Sequence, residues 1–126
     1  MEEKNKIILI VEDDEVLLRA LYLQFKDAGF TLSSATDGES ALSVAERIKP
    51  DLILLDLIIP KKDGFEVLKI LKANTVLKDI PVLVLSNLGD DENVKRAKNL
   101  GAIDYFIKSN TKLENLAQKV DKYISK

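Results

Sequence analysis

Residues 51–60 read DLILLDLIIP. Leu52 to Leu55 form an unbroken apolar run with no polar alternation. Such a run suits a strand buried on both faces, and strands are buried that way chiefly in parallel sheets covered by helices. Asp56 closes the run, four residues ahead of Pro60. A buried carboxylate is driven toward its neutral form unless positive charge stands beside it. This one stretch therefore implies both a sheet type and a need for cations at the strand's end.

Working outward, the same β-rich character recurs at 7–11 (IILIV), 30–35 (FTLSSA), 82–86 (VLVLS) and 103–107 (IDYFI). The runs at 7–11, 52–55 and 82–85 are continuously apolar and suit central strands, whereas 30–35 is mixed, as for an edge. Helical spacing fills the gaps. Leu17, Leu18, Leu21 and Phe25 share a face within 14–28. Segment 37–48 uses Ala41, Leu42, Ala45 and Ile48, and segment 63–73 uses Val67, Leu68 and Leu71. Segment 90–100 is thinner, with Val94, Ala97 and Leu100, and segment 112–124 uses Leu113, Leu116, Ala117, Val120 and Ile124. Gly29 and Gly101 stand where helices end in the left-handed conformation. Asp63 is placed to cap the third helix, and Thr111 with Glu114 reads as a capping box for the last. Five strands alternating with five helices predict an α/β fold with one parallel sheet covered on both faces.

Composition narrows the chemistry. The 126 residues suit one domain, and 46% hydrophobic with 32% charged residues describes a globular chain. There are no cysteines and no histidines. Disulfides, thiolate metal sites and histidine-based nucleophile activation are all excluded. A metal would be held by oxygen, which favours magnesium, manganese or calcium over zinc. The net charge of −2 comes with no basic block, so direct nucleic-acid binding is not expected. The opening MEEKNKIILIVEDD is neither a signal peptide nor a membrane span, which leads to the expectation of a cytoplasmic protein with no membrane contact.

In open parallel sheets ligands bind beyond the carboxyl ends of the strands. The residues arriving there are Glu12, Asp13 and Asp14 after the first strand, Asp56 after the third, Ser86 after the fourth and Lys108 after the fifth. Taken singly, an acid after a strand is more often a helix cap or solvated surface, Ser86 a turn residue and Lys108 an exposed charge. Polar groups at four strand ends on one rim are harder to assign to chance. Lys108 and a divalent ion between Asp13 and Asp56 would keep Asp56 ionised.

These residues carry a resemblance. ILIV followed by Glu12-Asp13, Asp56 in DLILLDLIIP, the stretch from Pro60 to Gly64, Ser86 after VLVL and Lys108 in DYFIK resemble a response-regulator receiver domain of two-component signalling. The match runs from about Ile7 to Ile124. It implies a flavodoxin-like sheet of order 2-1-3-4-5, and the whole of 1–126 is expected to be a single receiver domain (core about 7–124) with no output domain, either stand-alone or cut from a longer protein. It further implies that Asp56 accepts a phosphoryl group from a histidine kinase or histidine phosphotransferase. Asp13 would ligate Mg2+ (or Mn2+) directly, Glu12 would hold a metal-bound water, and the Ile58 carbonyl would complete the protein's share of the metal sphere. Ser86 and Lys108 would contact phosphoryl oxygens, and Asp14 would start the first helix. Tyr105 matches the family's switch aromatic. With Ser86 it would bias a surface of helix 90–100, strand 103–107 and helix 112–124 toward an unknown downstream protein. The chain would be no enzyme beyond its own Mg2+-dependent phosphorylation and dephosphorylation.

Three positions depart from the family pattern. Ser109 replaces the usual proline after the lysine, so a trans peptide is expected there. Asn87 stands where a small residue is common, and Ile58 places an apolar side chain beside the site. These changes are expected to tune rates. Rival readings come from other classes. A flavin carrier needs a hydroxyl- and Gly-rich phosphate loop where this chain has EDDE, and a haloacid-dehalogenase-type phosphatase needs a second Asp where Ile58 stands. The alternative kept is a non-signalling pseudo-receiver or engineered scaffold on the same fold.

Overall fold

The structure, a computed structural model, describes residues 6–124. Its elements run β1 (Ile7–Val11), α1 (Glu15–Asp27), β2 (Thr31–Ala35), α2 (Gly38–Ile48), β3 (Leu52–Leu55), α3 (Gly64–Ala73), β4 (Val82–Ser86), α4 (Asp91–Asn99), β5 (Asp104–Ile107), a 3-10 turn (Lys108–Asn110) and α5 (Leu113–Ile124). The five strands form one parallel sheet in the order β2-β1-β3-β4-β5. The architecture is the flavodoxin-like one expected, with the mixed strand β2 at an edge and the continuously apolar β1, β3 and β4 at the centre.

Alternate residues of each central strand feed two cores. Leu9, Val11, Ile53, Leu55, Val82 and Val84 face α2, α3 and Ala97 of α4. Ile8, Ile10, Leu52, Leu54, Leu83 and Leu85 face α1 and α5 through Leu21, Phe25, Leu116, Ala117 and Val120. Burial of each such aliphatic side chain contributes about 1.5–3 kcal/mol. The two-sided burial explains why these strands show no polar alternation. Helix α4 is the exception in the outer layer: Ala97 is its one buried residue, and Asp90 makes no side-chain cap bond.

Local signals place the helix ends. The Asp14 carboxylate accepts from the Val16 and Leu17 amides and opens α1. Asp63 accepts from the Glu66 amide at 2.9 Å and opens α3. Gly29 and Gly101 adopt φ of 98° and 117°, in the left-handed region expected of them. The expected capping box at α5 does not form. The Thr111 hydroxyl instead donates to the Ile107 carbonyl at 2.9 Å, bracing the 3-10 turn that follows β5. No peptide bond among the described residues is cis, so the bond before Ser109 is trans as expected. No described helix is long and apolar enough to cross a membrane.

Candidate functional site

The register of the central strands sets the site. Val11 pairs with Leu55, and the Asp56 amide donates to the Val11 carbonyl at 3.1 Å, so Glu12 and Asp56 leave adjacent strands side by side. On the other flank β4 ends at Ser86, whose partner across β5 is Ile107, the residue before Lys108. Lys108 must reach over β4 to meet β3, two strand spacings or about 9–10 Å away. Only a long cationic side chain does this. Its ammonium donates to Asp56 Oδ2 at 2.8 Å and lies 2.8 Å from Glu12 Oε1.

Each carboxylate is further oriented by backbone. Glu12 Oε2 accepts from the Asp14 amide at 3.0 Å, and Asp56 Oδ1 accepts from the Ile58 amide at 3.2 Å. Glu12 is 2% exposed, Asp56 4% and Ser86 0%, while Asp13 is exposed. The Ser86 hydroxyl accepts a long contact, 3.4 Å, from the Leu88 amide. Ile58 is 57% exposed, so most of its apolar side chain stands in solvent. Asn87 is likewise exposed at the mouth.

The electrostatics follow from burial and pairing. Burial pushes the Glu12 carboxyl above its ordinary value, opposed by the Lys108 hydrogen bond and the Asp14 amide and reinforced by the charge of Asp56. Burial works against the Lys108 charge too, yet its hydrogen bonds to Asp56 and Glu12 outweigh that and hold it above the usual lysine value. Lys108 is therefore a fixed ammonium between two buried acids. With Asp13 alongside, three carboxylates face one cation. Glu12, Asp13 and Asp56 each offer an oxygen within 4.8 Å of the others, a hard-oxygen donor set with charge left over for a divalent ion.

Tyr105 does not leave its hydroxyl in water. It donates to the Leu88 carbonyl, and the ring packs against the core beneath the β4–α4 loop. Burial is the first cause that raises the Tyr105 phenol above its ordinary value, followed by the charges of Asp90 and Asp56.

Sequence reasoning brought Glu12, Asp13, Asp14, Asp56, Ser86 and Lys108 to one rim, and the strand ends place them there, with Asp14 turned to capping α1. It missed the Lys108–Glu12 ion pair, which no local pattern signals. It also missed two glycines that the backbone demands. A Cβ on Gly64 would lie 2.4 Å from Leu57 Cα and 2.6 Å from the Asp56 carbonyl oxygen. A Cβ on Gly38 would lie 2.0 Å from the Lys62 carbonyl oxygen.

Comparison with known proteins agrees with this fold. The family model described as the response regulator receiver domain matches residues 8–121. The alkaline phosphatase synthesis transcriptional regulatory protein PhoP of Bacillus subtilis is 39% identical over 104 residues, which cover 82% of this chain and 42% of that protein. The phosphorylated cyanobacterial phytochrome response regulator RcpA is 29% identical with a TM-score of 0.88, covering 97% of this chain and 95% of that one. The Mn2+-bound form of response regulator Rcp1 is 34% identical with a TM-score of 0.82, covering 93% and 92%. The chain spans about half the length, or less, of the curated relatives it matches. Those relatives are transcriptional regulators, so the expectation of no direct nucleic-acid contact gains no support from them.

Proposed function

Because this chain belongs to the response regulator receiver domain family, we propose that it is a phospho-acceptor switch in which Asp56 takes a phosphoryl group from a histidine kinase or histidine phosphotransferase. One observation carries the reading: a carboxylate 4% exposed, held at 2.8 Å by Lys108 and flanked by two further acids at metal-binding distance.

The chain's own residues divide the work. The Ile58 amide holds Asp56 Oδ1 and Lys108 holds Oδ2, and each oxygen keeps a further lone pair with which to attack phosphorus in line with the departing donor. An O–P bond forms as the donor's N–P bond breaks, and the imidazole leaves with the electron pair. The chain has no histidine of its own, which fits a donor that brings one. Lys108 then pairs with a phosphoryl oxygen, and the Ser86 hydroxyl donates to another. Asp13, Asp56 and the Ile58 carbonyl would hold Mg2+ or Mn2+ directly, and Glu12 would act on it through a water. When bound, the ion supplies the positive charge that lets the acidic cluster receive a dianionic group. Asp14 is spent on capping α1 and is left out of this set.

Loop 87–90 is joined to the site by Ser86 and to β5 by the Tyr105 hydroxyl. Withdrawal of the Ser86 hydroxyl toward a phosphoryl oxygen frees the Leu88 amide and shifts this loop. Helix α4, with one buried residue, is the element least resistant to that shift. The surface of α4, β5 and α5 is thereby offered to a downstream protein. The domain works in the cytoplasm and catalyses only its own phosphorylation and dephosphorylation. The test is labelling with acetyl phosphate and Mg2+ followed by intact mass. Wild type should gain one phosphoryl group and Asp56→Asn none. An adduct that persists in Asp56→Asn, or a wild type that never labels, overturns the reading.

A further inference from the structure

The loop that carries Ile58 runs from Leu57 to Asp63 and has no secondary structure of its own. Its ends are fixed from within. The Gly64 amide donates to the Leu57 carbonyl at 2.9 Å, closing the loop at its base. Its middle is fixed from a distant part of the chain. The Gly38 amide, at the first position of α2, donates to the Pro60 carbonyl at 3.1 Å. The Lys62 backbone is pressed so close to Gly38 that any Cβ there would meet the Lys62 carbonyl carbon at 2.8 Å as well as its oxygen at 2.0 Å. Between the two pinned residues Lys61 adopts a φ of 70°, a left-handed conformation costly for a side-chain-bearing residue. The Lys61–Asp37 ion pair at 4.0 Å is long and Lys61 is exposed, so it is too weak to hold such a conformation. The backbone contacts at Gly38 are what hold it.

From this juxtaposition we infer that Gly38 is a positioning residue for the divalent-metal site, acting through the Pro60–Lys62 backbone on the Ile58 carbonyl. Asp37 anchors the N-terminus of α2 by accepting from the Ser40 amide at 2.8 Å, so α2 is a firm base for the contact. The loop is clamped at Gly64 and at Gly38, and the Ile58 carbonyl sits between the clamps. Mg2+ requires near-ideal geometry and short distances, so a displaced carbonyl ligand costs affinity where a flexible ion would tolerate it. Any side chain at position 38 must push Lys62 away and carry the loop with it.

This inference rests on the metal site proposed above, and its test separates the two. Mg2+ affinity of wild type, Gly38→Ala and Asp13→Ala is measured by calorimetry, with Val120→Ala as a core control on α5, remote in the fold. Gly38→Ala should bind Mg2+ at least tenfold more weakly, and Val120→Ala should bind like wild type even where its denaturant midpoint falls as far. A Gly38→Ala affinity within twofold of wild type, with Asp13→Ala clearly weakened, overturns the inference and leaves the site intact. Wild type and Asp13→Ala binding alike would instead overturn the site itself. Should Gly38→Ala fail to fold, hydrogen exchange in wild type decides: the Gly38 amide should be slowed by Mg2+ over the same concentration range that shifts the Ile58 amide. A Gly38 amide indifferent to Mg2+ overturns the inference.

Discussion

Replacing Gly64 with alanine should damage phosphoryl acceptance far more than it damages folding. The new Cβ would lie 2.4 Å from Leu57 Cα, 2.6 Å from the Asp56 carbonyl oxygen and 2.9 Å from Leu57 Cδ2. Carbon pairs rest at about 3.5–4.0 Å, so the first contact falls short by roughly 1.1–1.6 Å. A flexible side-chain end could move aside, but two of these atoms are backbone, one of them in Asp56 itself. Relief must displace α3 or the Asp56–Leu57 peptide. Overpacking of this kind costs about 1–3 kcal/mol. The better helix propensity of alanine returns up to about 1 kcal/mol, so a domain with about 5–15 kcal/mol of stability still folds. The rate is more sensitive, because misplacing a reacting group by about 1 Å costs on the order of 100-fold. The assay is the time course of acetyl phosphate labelling with saturating Mg2+, beside denaturant midpoints. Gly29→Ala is the control: its φ is 98° and nothing lies within 4 Å of its Cβ, so it should lose stability through the backbone alone and label at the wild-type rate. A folded Gly64→Ala that labels within about threefold of wild type would refute the argument, since about 1 Å of displacement could not then have been transmitted to Asp56.

Other outcomes follow from the same geometry. Asp13→Ala should strongly weaken Mg2+ binding by calorimetry, whereas Asp14→Ala should leave it nearly unchanged and cost about 1 kcal/mol of stability through the lost helix cap; equal losses of affinity would mean the acidic pair is misassigned. Asn87→Ala should speed labelling by acetyl phosphate without altering Mg2+ affinity, since the phosphoryl oxygens already have partners in Lys108 and Ser86; a slower variant would show that the amide assists transfer. The Tyr123 hydroxyl donates to Asp104 at 2.5 Å, and that bond, then burial, then the charge of Asp104 raise its phenol above the ordinary 10.0. Since the folded value is the higher one, the bond's small contribution to stability is complete below the unfolded value near 10 and disappears as pH rises through the folded value. Ultraviolet titration should therefore lose one late-ionising tyrosine in Tyr123→Phe, and a titration identical to wild type in its late phase would contradict the contact.

Most of the fold is written locally. Leu52–Leu55 shows no polar alternation because both faces of β3 are covered, and the same cause makes Ile7–Val11 and Val82–Leu85 legible. Asp14, Asp63, Gly29 and Gly101 mark helix ends because each satisfies backbone groups within a few residues of itself. The candidate site was legible for a topological reason: parallel strands deliver their carboxyl ends to one rim, so Glu12, Asp13, Asp56, Ser86 and Lys108 could be gathered from sequence positions alone. What escaped the sequence is nonlocal or competitive. Thr111 has the residue type and spacing of a cap, but the carbonyl of Ile107 competes for its hydroxyl once β5 gives way to a 3-10 turn. Lys108 meets Glu12 only because β1, β3, β4 and β5 lie in that order. Gly38 and Gly64 are required by backbone arriving from elsewhere, and a residue without a side chain leaves no pattern by which to foresee its contacts.

The central claim, that the carboxylate of Asp56 is the atom group that becomes phosphorylated, is tested most directly by locating the modification. Wild-type protein is labelled with acetyl phosphate and Mg2+, the acyl phosphate is reduced with borohydride, and the digested chain is sequenced by tandem mass spectrometry. Homoserine in place of aspartate at position 56 alone, and only in the sample that received Mg2+, is the predicted result. Homoserine at Asp13 or another acid with Asp56 unchanged would contradict the account.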